Sequence, residues 1–598
     1  MNRLLATGAT LALATATPLA AQQVYDLDTI TVTADLSDAT DTAESGATVE
    51  VTTRDDLEKA GDNSVATYLS RQPGISLASN GGPGALTNIR IRGLSQNYVS
   101  VRWDGIDITD VSGPQVAYDF GRLSTSDVGR IEVLKGSQSA QYGSEAVAGV
   151  VSLGTRRATE DGTQAFIEGE IGTYNTFNLA AGVTTRGERG ELGFTLSRQQ
   201  TDGFSIADGG AEDDGYSSIR LSFYGEYKAT EFLTLGINGF AQKSDADLDG
   251  FGPVDDLTEE TPSDTHGLRA FADWNNGTWS HRFELSTFQI TSERSYGTYV
   301  GEREEMRYLG TARLSGQTEL RFGADHTTET FTSDFGGGEE SVSGLFAEIA
   351  WQPSEALDVL ATLRHDEHDT FGGYTTGRVA LAWSPREDLI LRGSAGTGFR
   401  APSLYELNDG FAGNLDLVPE ESFTADIGIE KKFAGEDFLR ATLFYSEIDK
   451  LIIYGGSGYE QSDGTATAWG LELSGQKQLS DAVVLFGNYT YTEAENADGS
   501  RQLNMPRHDL LVGIEADLAP RWKGRAEVQH VADLISTPSS APTKLDDYTL
   551  VNASVTYEIN DMAEAYLRVE NLTDQDYQTV TGFGQSGRAV YVGLRARF

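Results

Sequence analysis

At 598 residues the chain is long enough for at least two structural units. Its 90 Asp and Glu against 45 Lys and Arg leave a net charge of −45, which excludes a nucleic-acid partner because gripping a phosphate backbone needs clustered cations. Cysteine is absent, so disulfides, thiol catalysis and cysteine-ligated metals are excluded too. No central apolar run reaches the roughly 18 residues of a spanning helix, which leaves alternating β-strands as the one means of crossing a membrane.

Met1-Asn2-Arg3 gives a positive start, Leu4 to Ala16 a short run of apolar and small residues, and Pro18-Leu19-Ala20-Ala21 a small-residue cleavage point before Gln22. Residues 1–21 therefore read as a secretory signal, too short for a membrane span. Next, Asp28, Thr29, Ile30, Thr31, Val32, Thr33 and Ala34 form a β-branched run with no partner strand nearby. Asp35 to Ala47 looks too polar to fold. An extended segment on a loose tether suits strand addition to the sheet edge of another protein; an ordinary first strand is the alternative.

Residues 48–155 have the texture of a small α+β domain. Thr53 can cap a helix through Asp55 to Ala60, stopped by Gly61, and Asn63 or Ser64 can cap a second from Val65 to Arg71, ended by Pro73-Gly74. Ile89 to Arg92 alternates as a strand, Tyr98 to Trp103 and Ile106 to Thr109 flank the tight-turn pair Asp104-Gly105, and Ile131 to Leu134 is a further short strand. Ser79 to Gly84 and Ser112 to Pro114 look like exposed glycine-rich loop tips.

From residue 156 the pattern is alternation to the C-terminus. Ile219, Leu221, Phe223, Gly225 and Tyr227 interleave with Arg220, Ser222, Tyr224 and Glu226; Val590, Val592, Leu594, Ala596 and Phe598 interleave with Tyr591, Gly593, Arg595 and Arg597. Hundreds of residues of this kind, with charged inner positions and an aromatic C-terminus, fit a transmembrane barrel with lipid outside and a wet lumen. The 443 residues of 156–598 accommodate 22 strands at about 20 residues per strand and connection. So wide a barrel leaves room for a separate domain as plug, and residues 48–155 are the candidate. The fold class predicted is all-β, a 22-stranded antiparallel transmembrane barrel with an N-terminal α+β plug.

Asp245, Asp247, Asp249 and Asp256, with Gly250 at the sixth position, have the spacing of a calcium loop, and Glu212-Asp213-Asp214-Gly215 lies one hairpin earlier. A merely solvated acidic loop is the alternative. The acidic rim also suggests divalent bridging to anionic lipid headgroups. His365-Asp366-Glu367-His368-Asp369 has the composition of a metal cluster, but on a strand positions 365 and 368 face opposite sides. No catalytic constellation can be nominated, so no enzyme is expected.

Together these segments resemble the TonB-dependent outer-membrane transporters, and most closely the cobalamin receptors among them. Asp28 to Ala34 looks like the TonB box. Ile89-Arg90-Ile91-Arg92-Gly93, Ile131 to Gly136 and Tyr142 to Val151 resemble plug signatures, and Gly413 to Glu420 and Val569 to Asp574 barrel motifs. The resemblance implies a monomer in the outer membrane of a Gram-negative bacterium that binds TonB through residues 28–34 and imports a bulky solute, cobalamin or a related corrinoid. It places substrate contacts at Asn80, Gly81, Gly82, Gly84, Ala85 and Leu86 in one plug loop and at Ser112, Gly113 and Gln115 in another. Phe583 stands where cobalamin receptors carry a substrate-contacting Tyr. Those receptors hold two calcium ions across the equivalent of the two acidic loops, and neither a redox nor an organic cofactor is implied. Ferric-siderophore and haem receptors are the alternatives; Phe399-Arg400-Ala401-Pro402 matches a haem-receptor motif, although Ser403 to Gly413 lacks the histidine that should follow and the same four residues also occur as a general barrel-strand motif, the reading preferred. A passive porin is the remote third reading.

Overall fold

The computed structural model describes residues 31–32, 40–41, 46–249, 259–537 and 542–598. Residues 1–21, expected to be a signal, Asp256 and all of 28–34 except Thr31 and Val32 lie outside the described residues.

Twenty-two antiparallel strands, from Gly162–Gly172 to Ala589–Arg597, form one closed barrel, each paired with its sequence neighbour. Closure is made by the first and last strands, in a register running from Phe166 opposite Arg597 to Gly172 opposite Tyr591. A closed sheet leaves no unpaired edge in hydrocarbon, where every exposed backbone donor or acceptor would cost several kcal/mol. The alternation sorts side chains as the sequence predicts. Ile219, Leu221, Val590, Val592 and Leu594 face outward and are exposed, whereas Arg220, Ser222, Tyr224, Tyr591 and Arg595 face the lumen and are buried.

One end of the barrel carries short turns such as 188–189, 316–317 and 520–521; the other carries the long connections 205–213, 247–262, 401–419, 450–464, 496–507, 533–547 and 571–588. Trp274, Trp279, Trp351, Trp383 and Trp522 all project outward beside the short turns, a belt that suits the boundary between lipid tails and headgroups. The connections at the long-loop end hold 22 Asp and Glu against five Lys and Arg, an acidic bias well above the two-to-one ratio of the whole chain.

The lumen holds the domain of residues 46–155. Its five-stranded sheet has the order Thr48–Thr53, Val128–Lys135, Gly149–Thr155, Val99–Trp103, Ile106–Asp107, with one parallel pairing, between Val99–Trp103 and Gly149–Thr155. Helix Arg54–Ala60 starts on a capping box in which Thr53 and Asp56 satisfy each other's backbone, and stops at Gly61 in the left-handed region (φ 76°). The second helix is shorter than expected, Val65–Leu69, and its cap is Ser64 rather than Asn63. Asn63 instead donates to Glu170 on the barrel wall. Asp104 (φ 46°) and Gly105 (φ 88°) make the turn that reverses Trp103 into Ile106. A separate hairpin, Ile75–Ser79 with Thr87–Ile91, carries the glycine-rich tip toward the long loops.

Leu57, Val65, Leu69, Ile89, Trp103, Ile131 and Leu153 pack into one core that extends to the barrel residues Phe240, Phe288 and Ile448. Plug and wall also share buried ion pairs: Arg92 with Glu472 at 2.8 Å, Arg220 with Asp127 at 2.7 Å, Arg303 with Asp107 at 2.9 Å and Arg71 with Glu527 at 2.8 Å. The expectation that Thr31–Val32 lacks a nearby partner is corrected, because this pair forms an antiparallel ladder with Thr40–Asp41 in the following tether. Two-residue strands exchange too few hydrogen bonds to show as a pattern in sequence.

Candidate solute site at the outer mouth

The plug hairpin tip meets the long loops of the barrel at close range. Ser79 N donates to Thr579 Oγ1 at 3.0 Å, and Thr579 Oγ1 and Gln585 Nε2 donate back to Ser79 O at 2.8 and 3.0 Å. A Cβ at Gly81 would lie 2.7 Å from Ile206 Cγ1, and one at Gly84 (φ 90°) 2.6 Å from the Tyr216 ring and 2.8 Å from Ala246 Cβ. Only glycine lets the backbone approach so closely in that conformation. Asn80, Gly81 and Gly82 are half-buried and Leu86 is exposed. Gly84 and Ala85 are buried, so the substrate contacts expected there are corrected to supports of the tip from beneath, where the Ala85 carbonyl crowds Gly121.

The second plug loop is held by Asp110, whose Oδ1 accepts from Ser112 N and Oγ at 2.7 and 2.6 Å. Burial pushes the Asp110 carboxyl above its usual range, opposed by these two hydrogen bonds. Ser112 itself is buried, so it too is corrected from a contact to a support, while Gly113 and Gln115 remain half-exposed. Asp119 does the same service between the two loops, with Oδ1 accepting from Thr87 N and Gly121 N at 2.9 Å each, and burial raises its carboxyl likewise. Phe583 is half-buried and bridges, backbone to backbone, to Ala207 of the 205–213 loop, while Gly584 N donates to Ile206 O at 2.8 Å. The last loop, the 205–213 loop and the plug tip thus form one continuous wall.

Of the six described acidic residues expected to hold metal, three converge. Carboxylate oxygens of Glu212, Asp214 and Asp249 lie within 4.8 Å of one another, a spacing and a hard-oxygen donor set that fit calcium. Asp213, Asp245 and Asp247 are exposed and outside this group. Asp245 lies within the strand Leu233–Ala246, whose alternation turns it outward, and Asp247 accepts instead from Gly215 N at 3.2 Å. The cluster draws on both of the acidic loops singled out in the sequence.

The opposite side of the mouth is aromatic. Tyr299, Phe331, Tyr405 and Tyr459 follow one another with ring centroids 5.7–6.5 Å apart, and Tyr454 extends the row at 5.5 Å from Tyr459. The sequence gives no local sign of this wall, because its members come from different strands and loops. Arg400 is fully buried between Glu406 at 3.0 Å and Glu420 at 2.7 Å, which makes Phe399-Arg400-Ala401-Pro402 a structural ion-pair motif. His365 is exposed and His368 buried on opposite faces of their strand, as alternation requires.

A barrel stoppered by a folded domain, whose loop tips rise into a walled vestibule, defines a gated surface receptor. Residues 163–572 match the family described as TonB dependent receptor-like, beta-barrel, and residues 41–150 match the TonB-dependent Receptor Plug Domain. The chain belongs to the TonB-dependent receptors. It is 26% identical over 580 residues to the vitamin B12 transporter BtuB of Vibrio cholerae serotype O1, covering 92% of each chain, and 25% identical over 577 residues to that of Photobacterium profundum, covering 92% and 93%. Among solved structures it is similar to the siderophore receptor PirA of Acinetobacter baumannii (TM-score 0.79, 17% identity, 92% and 98% covered). It is also similar to a mutant ferric enterobactin receptor PfeA of Pseudomonas aeruginosa (TM-score 0.79, 18% identity, 92% and 98% covered). At that identity the structures speak for the fold alone.

Proposed function

We propose that the protein imports cobalamin or a related corrinoid across the outer membrane of a Gram-negative bacterium, driven by TonB pulling on residues 28–34. The observation that carries this reading is the likeness to vitamin B12 transporters over nine-tenths of both chains, joined to a lumen filled by a plug that closes diffusion. Solute would rest between the tip at Asn80–Gly82 and Leu86, the second loop at Gly113 and Gln115, and Phe583, with the tyrosine row as the facing wall. Calcium held by Glu212, Asp214 and Asp249 would tie two loops into that vestibule by neutralising carboxylates that otherwise repel one another.

Equilibrium binding of cyanocobalamin to the purified receptor, with and without calcium, tests the proposal against ferric chelates in the same assay. Saturable binding of cyanocobalamin, tightened by calcium and not displaced by ferric tris-catecholate, is expected. Binding of the ferric chelate alone would make it a siderophore receptor.

A further inference from the structure

We propose that solute crosses along one particular wall of the barrel, between the plug's second helix and the strands Trp522–Ala532, Tyr548–Asn560 and Ala563–Glu570, and that the Asp62–Arg71–Glu527 contact is the gate on this route. The inference rests on the transport reading and adds to it a path and a closing point.

Three voids line up on this wall. The upper one, of about 230 Å³, begins at the plug tip (Gly81, Gly82) and descends to Asp62, Arg71 and Asn552. A constriction of about 20 Å³ follows, bounded by Gly61, Asp62, Arg71, Glu527 and Asn552. Below it a crevice of about 550 Å³, reached past Arg525 and Ser554, opens beside Asp55, Glu58 and Lys59 at the short-turn end. Neighbouring voids share residues, so the line is continuous except where the constriction closes it. Side-chain amides of Asn178, Gln199, Gln529, Asn552 and Gln585 line the upper void above the charged groups at its foot, offering both donors and acceptors to a large polar solute.

The closing contact is compact. Arg71 Nη1 lies 2.7 Å from Asp62 Oδ2 in the plug and 2.8 Å from Glu527 Oε1 on the wall, and Asn488 Nδ2 donates to Arg71 O at 2.8 Å. One guanidinium thus spans the gap between plug and wall. The far side of the lumen has a crevice of about 340 Å³ beside Gly46, Gln141 and Arg378 at the short-turn end, but it shares no residue with the upper void, and close contacts bound it. A Cβ at Gly46 would lie 2.5 Å from Leu381 N, Gln141 Nε2 donates to Glu348 at 2.7 Å, and Thr362 Oγ1 donates to the same carboxylate at 2.7 Å. The gate is also near the pulling end. Thr48–Thr53 is the edge strand of the plug sheet, and the chain runs from it through helix Arg54–Ala60 directly into Asp62.

The cysteine-free chain allows a test without background thiols, in two assays. In planar bilayers bathed in potassium chloride, the parent protein should be closed and Arg71→Gln should conduct, with Glu527→Gln as a second opening variant should the first fail to fold. A charged methanethiosulfonate reagent should block that conductance when Asn552→Cys is added and leave it unchanged with Thr362→Cys on the far wall. In cells, a bulky maleimide adduct at Asn552→Cys should lower cyanocobalamin uptake at least tenfold with surface binding intact, and the same treatment of Thr362→Cys should not. Block at Thr362→Cys, equal block at both positions, or closed bilayers for both opening variants would overturn the route. Absence of cyanocobalamin uptake in the parent, with the bilayer pattern intact, would instead refute the choice of solute and leave the path standing.

Discussion

Gly84 brings the plug tip against Tyr216 and Ala246, more than a hundred residues away in the chain. Gly84→Val would set a β-branched side chain at φ 90° against a tyrosine ring, so the tip must move. An affinity loss of about tenfold, roughly 1.4 kcal/mol, is expected for cyanocobalamin in equilibrium binding; unchanged affinity would remove the tip from the site. Asp62 looked like an ordinary polar residue after a helix, and nothing local marks it. Burial pushes its carboxyl up to about 6 from an ordinary 3.8, against the pull of Arg71. Because the folded value is raised, the folded state takes up a proton below pH 6 that the unfolded chain accepts only below 3.8. This group therefore favours folding increasingly as pH falls from about 6 toward 4, and the benefit is lost as pH rises through 6. Comparing thermal midpoints of the parent and Asp62→Asn from pH 7 to pH 4 should show the parent gaining on the variant; parallel curves would contradict it.

Among elements, those fixed by local chemistry were readable in advance. The capping box at Thr53, the stop at Gly61 and the Asp104-Gly105 turn each follow from hydrogen-bonding and dihedral limits within a few residues. Elements that depend on distant partners were not. The Thr31–Val32 ladder finds its partner eight residues on, and which carboxylates of the two acidic loops converge depends on how those loops meet. The tyrosine row is invisible until the barrel closes. The segment 28–34 makes the sharpest prediction at this scale. Its removal should abolish energised uptake of cyanocobalamin while leaving surface binding within about twofold of the parent, since the chain enters the lumen at Gly46 beside Ala380 and Leu381, at the end away from the vestibule. Uptake that survives the deletion would show that the pull is applied elsewhere.

For the whole molecule, strand alternation was enough to establish a lipid-facing barrel, and length was enough for its size, because both depend on a period of two and a membrane of fixed thickness. How plug and wall interlock was not legible, since complementary charges such as Arg92 and Glu472 sit 380 positions apart. Removing one partner of such a buried pair costs about 3–5 kcal/mol, so the stopper is held firmly until work is done on it. A chain lacking residues 48–155 should still close into a barrel and conduct freely in planar bilayers, whereas the intact protein should not; a silent deletion variant would mean that the strands cannot form a pore by themselves.

The distribution of charge around the vestibule has a consequence for arrival. With 22 acidic and five basic residues in its loops, the exterior attracts a cloud of small cations and repels polyanions within about 8–10 Å, the screening distance in physiological salt. A molecule with no net charge feels neither force. Its capture would then depend on random encounter alone, hardly altered by salinity, and scarcity would have to be met by the number of receptors on the cell surface.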